Sequence, residues 1–315
     1  MGIRGLNNLI KKYAPDAVSE KEIIFYKGSK VAIDCSILLY KFKYASRAQN
    51  SHIIGIANRI KYYLTNGILP VFIFDGVPPE AKKTVLAKRH ANKEKMYIRI
   101  EELRKKIPET NDEEKIIKDE IEKITSQLIV IKKKDVEECK YFLELSGIPY
   151  CTAPEDAEKY CAFLQKNGLV DYTITDDTDA TTFGCKKILK TGISRYITEI
   201  DTDIILSKFG MDMKSFIDFC ILSGCDYTEP IPQVGPVTSF NLIRKHKCIE
   251  EVLNVINKKY DNFDFKVSRE IFTEFNYIVP SEFNKIKCDK EKIITFLNDK
   301  EIKENIISKF IKIVI

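Results

Sequence analysis

Acidic side chains stand at or just after the ends of three separate apolar runs of the chain. They are Asp34, Asp75 and the pair Asp177 and Asp179. Short apolar runs without polar alternation are typical of interior strands in a parallel sheet. Because ligands bind outside the carboxyl ends of such strands, we expect these carboxylates to converge on one site. Taken singly, each acid could instead cap the N-terminus of the helix that follows it.

Three further acids extend this group. Asp156 and Glu158 lie at the predicted start of a helix, and Asp226 begins a turn after another helix. Converging carboxylates repel one another, and some would stay protonated at neutral pH unless cations neutralise them. A ligand set of oxygens without His or Cys indicates Mg²⁺ or Mn²⁺. Two such ions could clamp the attacking and leaving oxygens of a phosphoryl transfer.

Basic side chains follow Asp75 along the chain. Lys82 and Arg89 are seven residues apart, which is about two helical turns, so on a helix they face the same way. Above a cation site they could neutralise a scissile phosphate. Between Lys82 and Lys106, basic residues outnumber acidic ones by ten to three. This segment therefore predicts a phosphate-binding surface, although a solvated helix face explains the pattern equally well.

The elements that must position these residues alternate between strands and helices. Helical stretches are predicted over 36–44, 53–66 and 155–167, between the apolar runs. This alternation predicts an α/β fold with a mostly parallel sheet flanked by helices. After Asp203 the chain is predicted to be largely helical, including 213–223 and 237–247.

The segment from Glu80 to about Asp135 differs from the rest of the chain. It is highly charged, and its internal breaker is Pro108. We interpret it as two helices joined by a turn, inserted so that they project from the sheet. A helical hairpin without a function would have the same pattern, and the acidic second half is consistent with that alternative.

The composition argues against several other classes of protein. The chain has 315 residues, of which 44% are hydrophobic and 31% charged, and its net charge is +5. No apolar run has the roughly 18 residues of a membrane-spanning helix, and the first residues lack the apolar segment of a signal peptide. Nine cysteines without a Cys-x-x-Cys pair, and three histidines, disfavour disulfides and a zinc site. We therefore expect a reducing, intracellular compartment.

The acids and basic residues described above stand in segments that resemble the XPG-like structure-specific 5′ nucleases of the flap endonuclease type. The segments agree in order and spacing over about residues 1 to 260. They are MGIRGL (1–6), KVAID (30–34), FDGVPP (74–79), LAKR (86–89), GIPY (147–150), APEDAE (153–158), TDDTD (175–179), TFG (182–184), GCDY (224–227) and VGP (234–236). Since the first segment starts at residue 1, Gly2 is expected near the active site.

The resemblance implies a fold and a division of the chain. A PIN-like nuclease core is expected over residues 1–230, with a helical arch at 80–135. A helical part with a helix-turn-helix element, continuous with the core and gripping duplex DNA, is expected over 231–315.

The resemblance also assigns the metal ligands. Two Mg²⁺ ions are implied, for which Mn²⁺ can substitute. The ligands of one ion are Asp34, Asp75, Asp156 and Glu158, and those of the other are Asp177, Asp179 and Asp226. Asp156 departs from the family, whose cellular members usually carry Glu there.

Further roles follow from the same resemblance. Lys82 and Arg89 are the catalytic cations of the arch. The expected nucleic-acid-binding residues are Tyr40, which stacks on a base, together with Arg47, Lys83, Lys88, Val234, Gly235 and Thr238. A K⁺ ion at the Val234 turn is implied by the family. Pro230, Pro232 and Gln233 alter the loop before this turn, so the sequence does not decide whether the K⁺ site is present.

The expected activity is hydrolysis of phosphodiester bonds at single-strand/duplex junctions of branched DNA, with 5′ exonuclease activity, in replication, repair or recombination. We expect a monomer in the nucleus or, for a viral chain, at a cytoplasmic replication site, and find no sliding-clamp peptide at the C-terminus. A catalytically silent junction binder and a four-way-junction resolvase are the alternatives. A haloacid-dehalogenase-like phosphatase would need Asp-x-Asp after the first strand, where Cys35 and Ser36 follow Asp34.

Overall fold

The apolar runs of the sequence form the centre of one seven-stranded sheet. The computed structural model describes residues 2–46, 48–108, 110–256 and 263–315. The strands are β1 (Val18–Glu22), β2 (Lys30–Asp34), β3 (Leu69–Phe74), β4 (Tyr150–Thr152), β5 (Tyr172–Ile174), β6 (Lys187–Leu189) and β7 (Tyr196–Asp201). Their order across the sheet is β1-β7-β6-β5-β2-β3-β4. The five strands from β6 to β4 are parallel, and β7 and β1 are antiparallel to their neighbours.

Helices surround the sheet in the described part of the chain. The first eight are α1 (Leu6–Tyr13), α2 (Cys35–Ala45), α3 (Ser51–Thr65), α4 (Lys83–Lys105), α5 (Asn111–Gln127), α6 (Lys133–Leu145), α7 (Ala157–Lys166) and α8 (Asp179–Thr182). The others are α9 (Thr202–Phe209), α10 (Met213–Ser223), α11 (Pro236–His246), α12 (Ile249–Ile256), α13 (Phe265–Thr273), α14 (Lys290–Asp299) and α15 (Glu304–Val314). Three short 3₁₀ helices are Pro15–Ala17, Ile23–Tyr26 and Glu80–Lys82. None of the described helices is long and apolar enough to cross a membrane.

Strands β2, β3 and β5 are the ones that the sequence predicts, and their interior residues are buried. In β2 the side chains of Val31, Ala32 and Ile33 are fully buried. A strand covered by helices on both faces has no polar side to alternate with, which explains the continuous apolar run. The predicted α/β fold with a mostly parallel sheet is confirmed. Strands β1, β4, β6 and β7 were not predicted, because polar residues interrupt β1 and β7, and β4 and β6 have only three residues each.

The charged insertion forms the predicted pair of helices, α4 and α5. Only Ile100 and Leu103 of α4 are buried, and α5 has no buried residue. The guanidinium of Arg99 lies 2.9 Å from the Glu120 carboxylate and joins the two helices. The pair therefore stands away from the core, with its charges in solvent, and α4 ends shortly before Pro108.

The C-terminal helices pack back onto the sheet layer. Helices α14 and α15 contact α6 and α3. Leu297, Phe310 and Val314 are buried in the same apolar cluster as Phe72 of β3. The apolar end of the sequence therefore docks on the core.

An ion network around the buried carboxylate of Asp218 fixes the helices that follow the sheet. Arg269 of α13 donates two hydrogen bonds of 2.8 Å to Asp218 of α10 and two of 2.8 and 2.9 Å to Glu250 of α12. Asp218 is fully buried. Hydrogen bonds from Arg269 lower the pKa of Glu250 to about 2. Since the folded pKa is depressed, this contribution to stability is complete above a pH of about 4.5 and is lost as the pH falls towards 2.

We predict that Arg269→Met lowers the free energy of unfolding by about 3 kcal/mol, because it leaves the Asp218 carboxylate buried and unpaired. Arg195→Met is the matched control: Arg195 also pairs with a glutamate and lies over a ring, but it is exposed, so its loss should cost less than about 1 kcal/mol. Urea unfolding of both variants measures the difference. Equal losses would contradict the assigned role of the network.

Candidate active site

The carboxyl ends of neighbouring parallel strands bring the predicted acids together. Asp34 ends β2 and is 1% exposed. One of its oxygens caps α2 by accepting a hydrogen bond of 3.0 Å from the Ser36 amide. The other accepts a hydrogen bond of 2.9 Å from the hydroxyl of Thr175, which follows β5. Asp34 therefore both caps a helix and lies at the predicted site.

Asp75, Asp156 and Glu158 form the tightest group of acids. One carboxylate oxygen from each lies within 4.8 Å of the others, a spacing at which three groups can hold one metal ion. Asp75 follows β3 and accepts a hydrogen bond of 2.8 Å from the amide of Ala157 and another from the Ser36 hydroxyl. The start of α7 thereby fixes Asp75 beside Glu158. These contacts orient the carboxylates before any ion binds.

Asp177, Asp179 and Asp226 lie beside this group but are less tightly gathered. The amide of Asp179 donates a hydrogen bond of 3.1 Å to the Asp177 carboxylate. Asp179 is 4% exposed, and its Oδ1 has no hydrogen-bond partner among the described residues. A buried carboxylate oxygen without a partner is costly, and a cation would remove the cost. Asp226 is partly buried and pairs with Arg89.

The crowding of these acids shows in their pKa values. Burial, followed by the charge of Asp75, raises the pKa of Asp34 to about 7. Burial and neighbouring carboxylates, above all Asp34 for Glu158 and Asp177 for Asp179, also raise the pKa of both groups well above the usual range. Such groups take up protons unless another positive charge replaces them. The donor set and the unpartnered oxygen of Asp179 therefore fit divalent cations.

Lys82 and Arg89 both reach this cluster, although they contact different acids. Lys82 lies in the 3₁₀ turn before α4, and its ammonium is 2.8 Å from the Asp156 carboxylate. Burial opposes its charge, but the carboxylates, led by Asp156, outweigh burial and raise the pKa of Lys82. Arg89, two turns later, is 2.6 Å from Asp226. Each of the two predicted sets of ligands thus has one cation from the base of the arch.

The remaining predicted contacts to nucleic acid lie around the cluster. Tyr40 is 40% exposed on α2. Lys83 and Lys88 are exposed and pair with Glu80 and Glu229, respectively. Arg47 lies outside the described residues.

The predicted Val234 turn leads into α11. Gly235 is the residue before the helix, Pro236 is its first residue, and Thr238 is exposed in its first turn. Val234 is partly buried, and its amide donates a hydrogen bond of 3.1 Å to the carbonyl of Ile231. The turn is therefore preformed, and it leads directly into the N-terminus of α11.

Several residues at the site were missed by reasoning from the sequence. Tyr227 is 4% exposed, and its hydroxyl donates a hydrogen bond of 2.8 Å to Asp156. The ammonium of Lys82 lies over its ring, 5.8 Å from the centroid. Tyr227 directly follows Asp226, so its position beside a predicted ligand was the available signal. Thr175, which holds Asp34, likewise directly precedes the aspartates after β5.

Two lysines beside the cluster were also missed. Lys41 pairs with Asp176 and donates a hydrogen bond of 2.6 Å to the Thr191 hydroxyl. The ammonium of Lys190 is 3.2 Å from the carbonyl of Asp176, and burial lowers the pKa of Lys190. Lys190 follows β6, a strand that the sequence did not reveal, so its convergence on the site could not be predicted.

The N-terminal segment lies against the same acids. The amide of Ile3 donates a hydrogen bond of 2.9 Å to the Thr178 hydroxyl, and the amide of Arg4 donates one of 3.1 Å to the Gly224 carbonyl. Gly2 has a φ of 101°, and a Cβ there would overlap Oδ1 of Asp177. Gly2 therefore lies near the site, as expected, and a side chain at this position is excluded.

A parallel sheet with clustered carboxylates at its carboxyl edge, two cations from a helical arch and a preformed helix N-terminus define a class of phosphate-processing nucleases. Family models agree: the XPG N-terminal domain matches residues 1–96 and the XPG I-region matches residues 147–226. Flap endonuclease 1 of Nematostella vectensis is 37% identical over 94% of this chain and 82% of its own length. That of Drosophila grimshawi is 40% identical over 87% and 74%. The chain belongs to the flap endonuclease family of XPG nucleases.

Solved structures share the fold. The catalytic core of Rad2 in complex with DNA substrate has a TM-score of 0.79 at 23% identity and covers all of both chains. Flap endonuclease-1 from Methanococcus jannaschii has a TM-score of 0.69 at 24% identity, covering 95% of this chain and 96% of its own. Human GEN1 in complex with Holliday junction DNA has a TM-score of 0.70 at 20% identity, covering 99% and 77%. The expected family and the expected phosphodiester-hydrolysing nuclease are confirmed.

We predict that Mg²⁺ raises the melting temperature of the chain but has little effect on Asp179→Asn. Binding of an ion at about 100 times its dissociation constant stabilises the folded state by about 2.7 kcal/mol. Without Mg²⁺, the variant should be at least as stable as the parent, because one buried charge is removed. Asp299→Asn, an exposed aspartate at the end of α14, is the control and should respond like the parent. An undiminished response of Asp179→Asn would exclude Asp179 as a ligand.

We also predict that Gly2→Ala slows cleavage of a 5′-flap substrate more than Gly210→Ala does. Both glycines have a positive φ, so both substitutions strain the backbone. Only at Gly2 would the added Cβ displace Asp177, since nothing lies within 4 Å of a Cβ at Gly210. Single-turnover rates at a temperature where both variants stay folded make the comparison, and equal rates would contradict it.

Proposed function

We propose that the chain is a structure-specific 5′ nuclease that hydrolyses phosphodiester bonds at single-strand/duplex junctions of branched DNA by two-metal-ion catalysis. One observation carries the proposal. The oxygens of Asp75, Asp156 and Glu158 lie within 4.8 Å of one another, and the arch places Lys82 2.8 Å from Asp156. The three carboxylates could hold a metal ion, and the Lys82 ammonium lies beside them. These two positive charges together would bind and stabilise a negatively charged phosphate group.

The metal ions of the proposal are two Mg²⁺, for which Mn²⁺ can substitute. One would be held by Asp34, Asp75, Asp156 and Glu158, and the other by Asp177, Asp179 and Asp226. Ligands that are all carboxylates suit these hard ions. When bound, they would supply positive charge and a water molecule of lowered pKa.

Lys82 and Arg89 would neutralise the scissile phosphate. At present they contact Asp156 and Asp226, and a phosphate entering beside these acids would compete for the same N–H donors. Both side chains have several donors, and the planar guanidinium can bind two phosphate oxygens at once. Charge on the equatorial oxygens of the phosphoryl group must be stabilised in the transition state, so donors held there lower the barrier.

The proposed reaction breaks the bond between phosphorus and the 3′ oxygen. A water oxygen attacks phosphorus, the water loses a proton to solvent, and the leaving 3′ oxygen gains a proton. The products carry a 5′-phosphate and a 3′-hydroxyl. Tyr40, exposed on α2, would stack on the base at the junction and hold the scissile bond at the cluster.

The N-terminus of α11 is proposed to bind the duplex part of the substrate. The amide groups in the first turn of a helix lack partners within the helix and attract a phosphate. Val234, Gly235 and exposed Thr238 form this end, and Lys83, Lys88 and Arg47 would add contacts to the backbone. A K⁺ ion at the turn belongs to the same proposal, and exchange of K⁺ for Na⁺ would weaken duplex binding if it is present.

The proposal extends to substrate and setting. The solved Rad2 and GEN1 structures contain DNA, and their shared fold supports branched DNA as the partner of this chain in replication, repair or recombination. All nine cysteines are free, which suits a reducing compartment such as the nucleus. We propose a monomer in which residues 1–230 form the nuclease core, with the arch at 80–135, and 231–315 the helical duplex-binding part.

Cleavage of a labelled panel of 5′-flap, nicked, gapped and four-way-junction DNA with Mg²⁺ tests the function. The proposal expects a 5′ flap to be cut fastest, near the junction, and no cleavage in EDTA. Symmetrical cuts in the four-way junction at a higher rate would instead favour a resolvase. Tight binding without cleavage would identify a junction-binding protein.

We predict that Lys82→Ala and Arg89→Ala each lower the single-turnover rate by about 10²-fold, the usual cost of a lost charge-stabilising donor. Affinity should change much less. The matched controls are Lys93→Ala and Arg104→Ala, both exposed further along α4 and without an assigned role, and both should keep the rate of the parent. A purely electrostatic role would show as weaker, salt-dependent binding with an unchanged rate, and it would contradict catalysis by these two residues.

A further inference from the structure

Two exposed tyrosines stand one turn apart on α2. Tyr40 and Tyr44 are 40% and 64% exposed, and residues four apart share a helix face. Lys41 and Lys43 alternate with aromatic residues on the same stretch. Since Asp34 is the N-cap of α2, a rise of 1.5 Å per residue places Tyr44 about 15 Å along the helix from the acid cluster. A single strand that leaves the cluster along this face passes Tyr40 first and Tyr44 next.

Tyr44 forms one wall of a cavity of about 440 Å³. Ser46, Gln49 and Ser51 also line it, together with residues between 125 and 130, where α5 ends and the arch returns to the core. Ser51 is 6% exposed, and its hydroxyl has no hydrogen-bond partner among the described residues. A buried polar group without a partner costs stability unless a ligand or water completes it.

The chemistry of this cavity suits an uncharged planar ligand better than a phosphate. Lys43 also lines it, but its ammonium is bound to the Asp135 carboxylate at 2.6 Å. What the walls offer is an aromatic face together with hydroxyl and amide groups that donate and accept hydrogen bonds. A nucleobase uses both, because it stacks on an aromatic ring and presents polar groups at its edge.

We propose that this cavity holds one unpaired base of the 5′ single strand, with Tyr44 as its stacking platform and the Ser46, Gln49 and Ser51 side chains at its edge. The proposal rests on the proposed function, which brings a 5′ strand to the acid cluster. Two features select this strand: α2 starts at the cluster, and part of the lining of the cavity belongs to the arch. At about 3.4 Å per stacked nucleotide, 15 Å corresponds to roughly four nucleotides from the scissile bond.

The test combines Tyr44 variants with abasic substrates. Affinity for a 5′-flap DNA is measured in EDTA, with a single abasic site moved over roughly the first six flap positions. We expect the parent to lose affinity about fivefold or more at one position, the lower end of base-stacking effects. Tyr44→Ala should lose as much on the intact flap and nothing further on that abasic flap. Tyr44→Phe, which keeps the ring, should bind like the parent.

Tyr141→Ala, a similarly exposed tyrosine on α6, is the control and should not change binding. An unchanged affinity of Tyr44→Ala, an equal loss at every abasic position, or a loss confined to abasic sites in a 3′ flap would each overturn the proposal. Cleavage of the intact flap by the parent with Mg²⁺ is measured in parallel. If the parent does not cleave but the Tyr44 effect depends on position, the proposed function fails and the base site stands. If the parent cleaves without a Tyr44 effect, the base site alone fails.

Discussion

Mutual repulsion of carboxylates at the carboxyl edge of the sheet is the constraint on which this structure depends. Parallel strands end side by side, so acids that follow β2, β3 and β5 must approach one another. Hydrogen bonds fix the positions of these carboxylates. The donors are the Ser36 and Ala157 amides and the Thr175 and Tyr227 hydroxyls. Each bond orients one oxygen and leaves the cluster short of positive charge. The raised pKa values of Glu158 and Asp179 are the consequence.

The arch and the N-terminus both act on this charge deficit. Lys82 and Arg89 place one cation on each predicted set of ligands, although the rest of α4 has little contact with the core. The position of the arch therefore depends on whether the carboxylates pair with Lys82 and Arg89 or with metal ions. Gly2 packs against the acid cluster at Asp177, where a side chain would collide with the Asp177 carboxylate. Binding of a metal ion and a phosphate together would rearrange these contacts. The metal ion would supply positive charge to the carboxylates, and the phosphate would supply negative charge to Lys82 and Arg89.

The sequence predicted most of what lies in apolar runs and little of what depends on long-range pairing. Strands β2, β3 and β5 and helix α10 were found because burial on both faces, or a regular helical pattern, shows locally. Strand β1 (VSEKE) was missed because its polar residues at the sheet edge resemble a loop. The seven acids, Lys82 and Arg89 stood out by type and spacing. Lys190 did not, because its approach to Asp176 depends on the pairing of β6 with β5, and Ser51 did not, because an unpartnered hydroxyl is visible only in three dimensions.

The central claim is that these acids are a preformed site for divalent cations. Diffraction from crystals soaked in Mn²⁺, recorded at the manganese absorption edge, tests it most directly because the anomalous signal locates the ion without reference to activity. We predict anomalous density bounded by Asp75, Asp156 and Glu158, and a second peak beside Oδ1 of Asp179. Absence of density at both positions at saturating Mn²⁺, with Lys82 still paired to Asp156, would contradict the account.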